Sequence, residues 1–299
     1  MNCPSLLLGD EIRIVSPGGA IDNNLICEAS QVISNMGYTL SIGKYATGKY
    51  GRYSGTVNQR CADLQNALDD PQVKAIICAR GGYGTVQLLE KLDFTRFVQN
   101  PKWIVGYSDI SVLHSAVNRL GINSLHAGMM AQIATLGAED ISVKSIFTTL
   151  KGKNLDYELE SHPQNKFGTA VGQLVGGNLS VLAGLRATPY DLNYDSAILF
   201  IEDVNEKIYH IDRMLQNLRL SGVFEKINGL IVGHFTDCVE DKLMKISLKK
   251  IILNAVSGYH FPVCFDFPAG HQAPNMPLIL GSKVELQVNE KNIKLQYIK

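Results

Sequence analysis

The chain carries no excess of charge of either sign: 28 Lys and Arg are balanced by 28 Asp and Glu, for a formal net charge of zero at pH 7. A nucleic-acid binder normally carries a basic surplus, so no nucleic-acid partner is expected. Long apolar runs are also missing. The N-terminal stretch Leu6–Leu8 meets Asp10 and Glu11, too short for a secretory h-region of roughly 7–15 residues. Nothing approaches the roughly 18 apolar residues of a membrane span, so neither leader nor membrane segment is expected. The six cysteines (Cys3, Cys27, Cys61, Cys78, Cys238 and Cys264) form no C-x-x-C pair and share no zinc-finger spacing with histidine. Free thiols in a reducing compartment follow, and the expected location is the cytoplasm. Repeats and low-complexity tracts are absent. With 45% hydrophobic and 19% charged residues the composition is that of an ordinary globular protein. A length of 299 residues suggests about two domains at roughly 150 residues each.

What is present is a steady alternation of strand and helix patterns. Glu11–Ser16 is apolar and stops at Pro17-Gly18-Gly19; Asn23–Met36 has helical spacing and stops at Gly37. Val57–Leu68 is read as a helix, Lys74–Ala79 and Trp103–Gly106 as buried strands, Ile110–Leu120 as a helix and Ile122–His126 as a strand. Such alternation predicts parallel strands with crossover helices, whose ligands bind beyond the carboxyl ends of the strands. The polar segment 151–167 is read as the connection between a domain over 1–150 and a second α/β domain over 168–299. In the second, Ala170–Val175, Ala197–Ile201, Gly229–Val232 and Pro262–Phe267 are predicted strands, Leu179–Leu185, Lys207–Leu220 and Lys245–Val256 helices. The tail, Val284–Val288 and Ile293–Tyr297, alternates like a hairpin.

Three strand ends carry polar residues that suit chemistry. In Gly106-Tyr107-Ser108-Asp109 a serine sits between a strand and a helix, where a sharp turn would expose its hydroxyl and the helix would offer free amides. The spelling differs from the G-x-S-x-G elbow, and Ser108 or Asp109 capping the helix is the structural alternative. Glu202 and Asp203 follow an apolar strand; either could orient a histidine, or Asp203 could start a turn with Glu202 solvated, and spacing does not choose. His271, in Phe267-Pro268-Ala269-Gly270-His271, lies on a Gly- and Pro-rich tip that suits a general base, with His126 and His234 as rivals and a plain surface histidine as the alternative. The turn Arg80-Gly81-Gly82-Tyr83-Gly84 could cradle an anion, but it lacks the Lys-Ser/Thr of a P-loop and the full G-x-G-x-x-G. Arg80 could clamp a carboxylate or pair with a structural acid. Gly176-Gly177-Asn178 reads as a helix start capped by Asn178.

In order along the chain, Ala79–Gly84, Gly106–Asp109, Gly172–Ser180, Phe200–Asp203 and Ala269–His271 resemble the motifs of the LD-carboxypeptidase family of serine peptidases, also called muramoyltetrapeptide carboxypeptidases. The resemblance spans nearly the whole chain. It implies a flavodoxin-like parallel-sheet N-terminal domain, a smaller C-terminal α/β domain and a site between them. It also implies a triad of Ser108 as nucleophile, Glu202 as acid and His271 as base, with Gly82 and Asp109 amides as the oxyanion hole. Arg80 is a candidate for binding substrate. The implied substrate is a murein tetrapeptide that loses its terminal D-alanine in cell-wall recycling, with no cofactor or metal, in a cytoplasmic homodimer. The family also contains peptidases that inactivate microcin-type peptide–nucleotide antibiotics, which the single tryptophan, Trp103, makes the weaker match. A small-molecule binding protein without catalysis is the rival of another class.

Overall fold

A computed structural model describes residues 3–298 except Asn154, Glu240 and Lys242. The first half runs β1 (Glu11–Val15), α1 (Asn23–Asn35), β2 (Thr39–Ile42), α2 (Val57–Asp69), β3 (Val73–Cys78), a 3-10 turn (Thr85–Lys91), α3 (Thr95–Gln99), β4 (Trp103–Gly106), a short 3-10 turn (Ser108–Ile110), α4 (Ser111–Arg119), β5 (Ser124–His126), α5 (Met130–Leu136) and α6 (Ile141–Leu150). The second half runs β6 (Tyr157–Glu160), β7 (Gly168–Asn178), α7 (Leu179–Leu185), β8 (Ala197–Val204), α8 (Ile208–Leu220), α9 (Val223–Lys226), β9 (Gly229–Thr236), α10 (Leu248–Ala255), β10 (Val263–Cys264), β11 (Leu278–Leu280), β12 (Lys283–Val288) and β13 (Asn292–Tyr297).

Two sheets result. The first has the order β11-β5-β4-β3-β1-β2; its strands β2-β1-β3-β4-β5 are parallel, the doubly wound order of flavodoxin-like folds. Strands covered by helices on both faces read as apolar runs, as Ala75–Cys78 in β3 does. The helices start where side chains satisfy free amides. Asp22 caps α1, Asp140 caps α6, and Thr56 with Gln59 forms a reciprocal capping box on α2. The second sheet has the order β10-β9-β8-β7-β12-β13-β6, parallel from β10 to β7 and antiparallel from β7 to β6. The tail forms the expected hairpin.

Several elements differ from the sequence reading. The segment 151–167, expected as a connection, contributes β6, paired with β13; its polar residues belong to an edge strand with only Tyr157 buried. β7 continues through Gly176 and Gly177, and β8 continues through Glu202 and Asp203. The C-terminal half also returns a strand to the first sheet: β11 pairs antiparallel with β5. All six cysteines are free, and Cys3, Cys78 and Cys264 are buried while Cys27 is exposed. Among the described residues no helix is long and apolar enough to cross a membrane.

Candidate active site

The site forms where β4 ends against the tip of β8. Gly106 closes β4 because a side chain there would strike Ile110. Ser108 then takes φ +64°, a left-handed conformation that a non-glycine residue adopts at a cost of about 1–3 kcal/mol. α4 starts only at Ser111, with Ile110 at its N-cap and no side-chain cap, so neither Ser108 nor Asp109 serves as the cap. The Asp109 carboxylate instead accepts from the Thr85 amide (2.9 Å) and hydroxyl (2.6 Å). It thereby ties the serine turn to the Arg80–Gly84 turn. Gly81 lies flush against that turn: a Cβ there would sit 3.0 Å from Ser108 Cβ and 3.2 Å from the Asp109 amide nitrogen. Gly82 follows at φ +84° and lies beside Gly19.

Arg60 was not singled out from sequence, yet it is almost fully buried. Its Nη1 donates to the carbonyls of Pro17 (2.6 Å) and Gly84 (2.9 Å), and Nε to that of Gly55 (3.0 Å). One guanidinium therefore fixes three loops at the strand ends, because its rigid fork supplies several donors at once. Only its place inside a helical pattern would have marked it, and there a surface position is the ordinary reading.

The acids separate by strand alternation. Successive side chains of β8 point to opposite faces. Leu199 and Ile201 join the cluster that includes Ile211 and Leu215 of α8. Ile198 and Phe200 join the other cluster with Phe267 and Ala269. Glu202, fully buried, continues the Phe200 face, and its Oε2 lies 2.7 Å from His271 Nδ1. Asp203 is also buried, on the α7 side. It accepts from Asn178 Nδ2 (2.8 Å), the Ser180 amide (2.8 Å) and the Val204 amide (2.9 Å), and burial raises its carboxyl to about 6. The sequence alternative of a solvated Glu202 and a turn at Asp203 is thus corrected: β8 runs two residues beyond its apolar stretch.

His271 is held rather than free at the surface. Its side chain is 14% exposed. It follows Gly270, where a Cβ would lie 3.0 Å from Glu202 Oε2. Its Nδ1 is engaged by Glu202, and Nε2 has no protein partner among the described residues. The ring edge of Tyr107 meets the His271 ring at 4.7 Å between centroids, so the residue before Ser108 touches the imidazole directly. Burial pushes the Tyr107 phenol up to about 12, keeping it neutral. The two halves also meet at α4: the Asn178 amide donates to Ser111 Oγ (2.9 Å), and Gly177 has no Cβ because one would collide with Ser111. Asn178 pairs with Glu202 across β7 and β8, so the acid is tied to the serine helix. Asn178 caps α7 as expected.

Neither rival histidine is hydrogen-bonded to Glu202 among the described residues. His234 is half-buried beside Gly270. His126 is fully buried with both ring nitrogens unpartnered among the described residues, its ring edge-on to Phe200 at 4.9 Å. His114 Nε2 donates to the Gly106 carbonyl (2.9 Å). Burial lowers His114 to about 4 and His126 well below the ordinary value. Both are therefore neutral in the fold, while the unfolded chain takes up their protons near pH 6.5. Acidification from about 6.5 to about 4 should therefore cost stability. Asp203, raised to about 6, works oppositely, since the folded state takes up its proton first. His126→Phe should remove one proton from the difference, flattening the loss by up to about 1.4 kcal/mol per pH unit. Urea unfolding at pH 8 and pH 5 measures this, and an unchanged pH dependence would contradict it.

Arg80 is exposed, and Nη1 donates to the Ala20 carbonyl (2.9 Å). It forms no ion pair among the described residues, so the structural-acid alternative is not what is found. No group of three or more His, Cys, Asp or Glu among the described residues is arranged to hold a metal.

Comparison with known proteins identifies the family. Family models for the LD-carboxypeptidase N-terminal and C-terminal domains match residues 12–127 and 171–286. The murein tetrapeptide carboxypeptidase of Pseudomonas aeruginosa is 32% identical over 93% of this chain and 93% of its own. The Microcin C7 self-immunity protein MccF of Escherichia coli is 28% identical over 98% of this chain and 95% of its own. The crystal structure of muramoyltetrapeptide carboxypeptidase from Oxalobacter formigenes superposes with a TM-score of 0.89 and 27% identity, covering 97% of this chain and 99% of that one. The chain belongs to the LD-carboxypeptidase family and is a serine-type hydrolase.

Proposed function

We propose that the chain cleaves the L–D amide bond before the terminal D-alanine of a murein tetrapeptide, using Ser108, His271 and Glu202. The observation that carries the reading is the buried Glu202–His271 pair at 2.7 Å, whose imidazole touches the residue preceding a serine at φ +64°. His271 Nε2 takes the proton of the Ser108 hydroxyl as the oxygen attacks the carbonyl carbon. Glu202 keeps the proton on Nδ1 and stabilises the imidazolium. Negative charge on the carbonyl oxygen is received by the Gly82 and Asp109 amides, each contributing about 3 kcal/mol in comparable holes. The tetrahedral intermediate collapses, His271 protonates the departing amine, and water then releases the acyl group by the same proton route. Ser108 and His271 form no hydrogen bond to each other in the structure, and the reaction requires them to reach hydrogen-bond distance in the substrate complex. On this reading residues 1–150 carry the nucleophile and 168–299 the acid and base, and the enzyme is a cytoplasmic homodimer.

Incubating the protein with tetrapeptide should release one alanine, seen by mass as a tripeptide product. No tripeptide, with the peptide recovered whole, would refute the reading. A peptide–nucleotide antibiotic of the microcin type is the second substrate to offer, since one relative at 28% identity is a Microcin C7 self-immunity protein. The sole indole of this chain does not favour it. Trp103 is buried in β4, and its Nε1 donates to the Pro4 carbonyl (2.9 Å), so it is not free to stack on a base.

A further inference from the structure

The Gly82 turn stands between two cavities of opposite character. One, of about 310 Å³, is walled by Val86, Val112, Val181 and Leu185. The other, of about 770 Å³, is rimmed by Lys49, Arg52 and Arg80 and reaches Gly82. None of the three cations forms an ion pair among the described residues. The single carboxylate at the rim, Asp22, is occupied with capping α1 through the Asn24 amide (2.9 Å). The groove is thus left with a positive surplus in a chain whose net charge is zero.

The backbone that carries these cations is firmly placed. The Ala20 amide donates to the Arg52 carbonyl (2.9 Å). Ser54 Oγ donates to the Ser16 carbonyl (2.6 Å), and Ser16 Oγ to that of Ala46 (2.7 Å). Tyr53 pairs with Gly19, and its ring supports the Arg60 guanidinium at 4.8 Å. Lys49 and Arg52 therefore extend from a loop locked to the same β1 and Gly84 turns that shape the serine site. Locking lowers the ordering cost of a bound anion.

We propose that this groove is a subsite for the carboxylate-bearing acyl part of the substrate, with Lys49 and Arg52 as specificity-determining residues beside Arg80. The inference rests on the peptidase reading above. A cavity of this size suits a ligand much larger than one alanine, so it takes the longer side of the cleaved bond. That side of a murein peptide bears free carboxylates, which guanidinium and ammonium groups recognise through charge-assisted hydrogen bonds.

The test uses the full chain with Ser108→Ala, so that peptide stays intact, and isothermal titration. Two tetrapeptides are compared: one with all carboxylates free, one with every carboxyl amidated except the terminal one. Amidation should weaken binding about tenfold, and the gap should shrink in high salt. Adding Lys49→Gln and Arg52→Gln should weaken the free-carboxylate peptide about tenfold and leave the protein indifferent to amidation, with an unchanged thermal midpoint. If the added substitutions leave both affinities as before, or if neither peptide binds, the subsite is overturned. Alanine release by the unmodified chain separates the two claims. Release, with Lys49→Gln and Arg52→Gln leaving KM unchanged, removes the subsite alone. Absence of release removes the peptidase reading, and carboxylate discrimination that still depends on Lys49 and Arg52 would keep the groove as an anion site.

Discussion

Replacing Ser108 by alanine should reduce turnover of the tetrapeptide at least about a thousandfold while leaving the fold intact. On the proposed mechanism the loss is large because the hydroxyl forms the acyl bond, and no neighbouring group substitutes for it. The residual rate, from binding and the amides at Gly82 and Asp109, should still exceed solution by roughly a thousandfold. A glycine at the same position sharpens the test. Glycine elsewhere typically costs about 0.5–1 kcal/mol against alanine through chain entropy. At φ +64° relief of left-handed strain of about 1–2 kcal/mol should outweigh that cost. Ser108→Gly should therefore be inactive yet unfold in urea no more readily than Ser108→Ala. An alanine variant with wild-type turnover would show that Ser108 is not the nucleophile. A glycine variant weaker by the usual entropic amount would show that the turn is unstrained.

The second large effect separates adjacent carboxylates. Glu202→Gln should lower kcat about ten-thousandfold, since an amide facing Nδ1 of His271 no longer holds the productive tautomer or stabilises the imidazolium. Asp203→Asn should reduce kcat far less and act chiefly on stability. Its carboxylate gathers Asn178, Ser180 and Val204, and an amide accepts through only one of its two heavy atoms. The loss of hydrogen bonds to a buried charge is worth about 1.5–3 kcal/mol. Steady-state rates paired with urea midpoints read both. Equal kinetic losses at the two positions would remove the distinction.

Much of this was legible in the chain. The largely apolar segments Lys74–Ala79 and Trp103–Gly106 announce buried parallel strands, and alternation with helices predicts the doubly wound sheet. The hairpin at the C-terminus follows from its period of two. Short motifs at strand ends, taken in order, pointed to Ser108, Glu202 and His271 through resemblance. Spacing alone left Glu202 and Asp203 open. The extension of β8 through both acids was missed, because charged residues usually end a strand and here they are buried. The polar edge strand β6 looked like a connection for the complementary reason.

Arg60 carried no signal, since its partners are backbone carbonyls from three loops, and carbonyls have no sequence identity. The positive rim of Lys49, Arg52 and Arg80 is likewise scattered along the chain. Periodicity and composition report on the local chain and so determined the elements and the layered α/β class. Which buried acid faces the imidazole, how Gly81 and Gly177 let two sheets approach the same serine turn, and which cations share one groove are contacts between distant segments. Those depend on how faces are packed, and tertiary structure alone decided them.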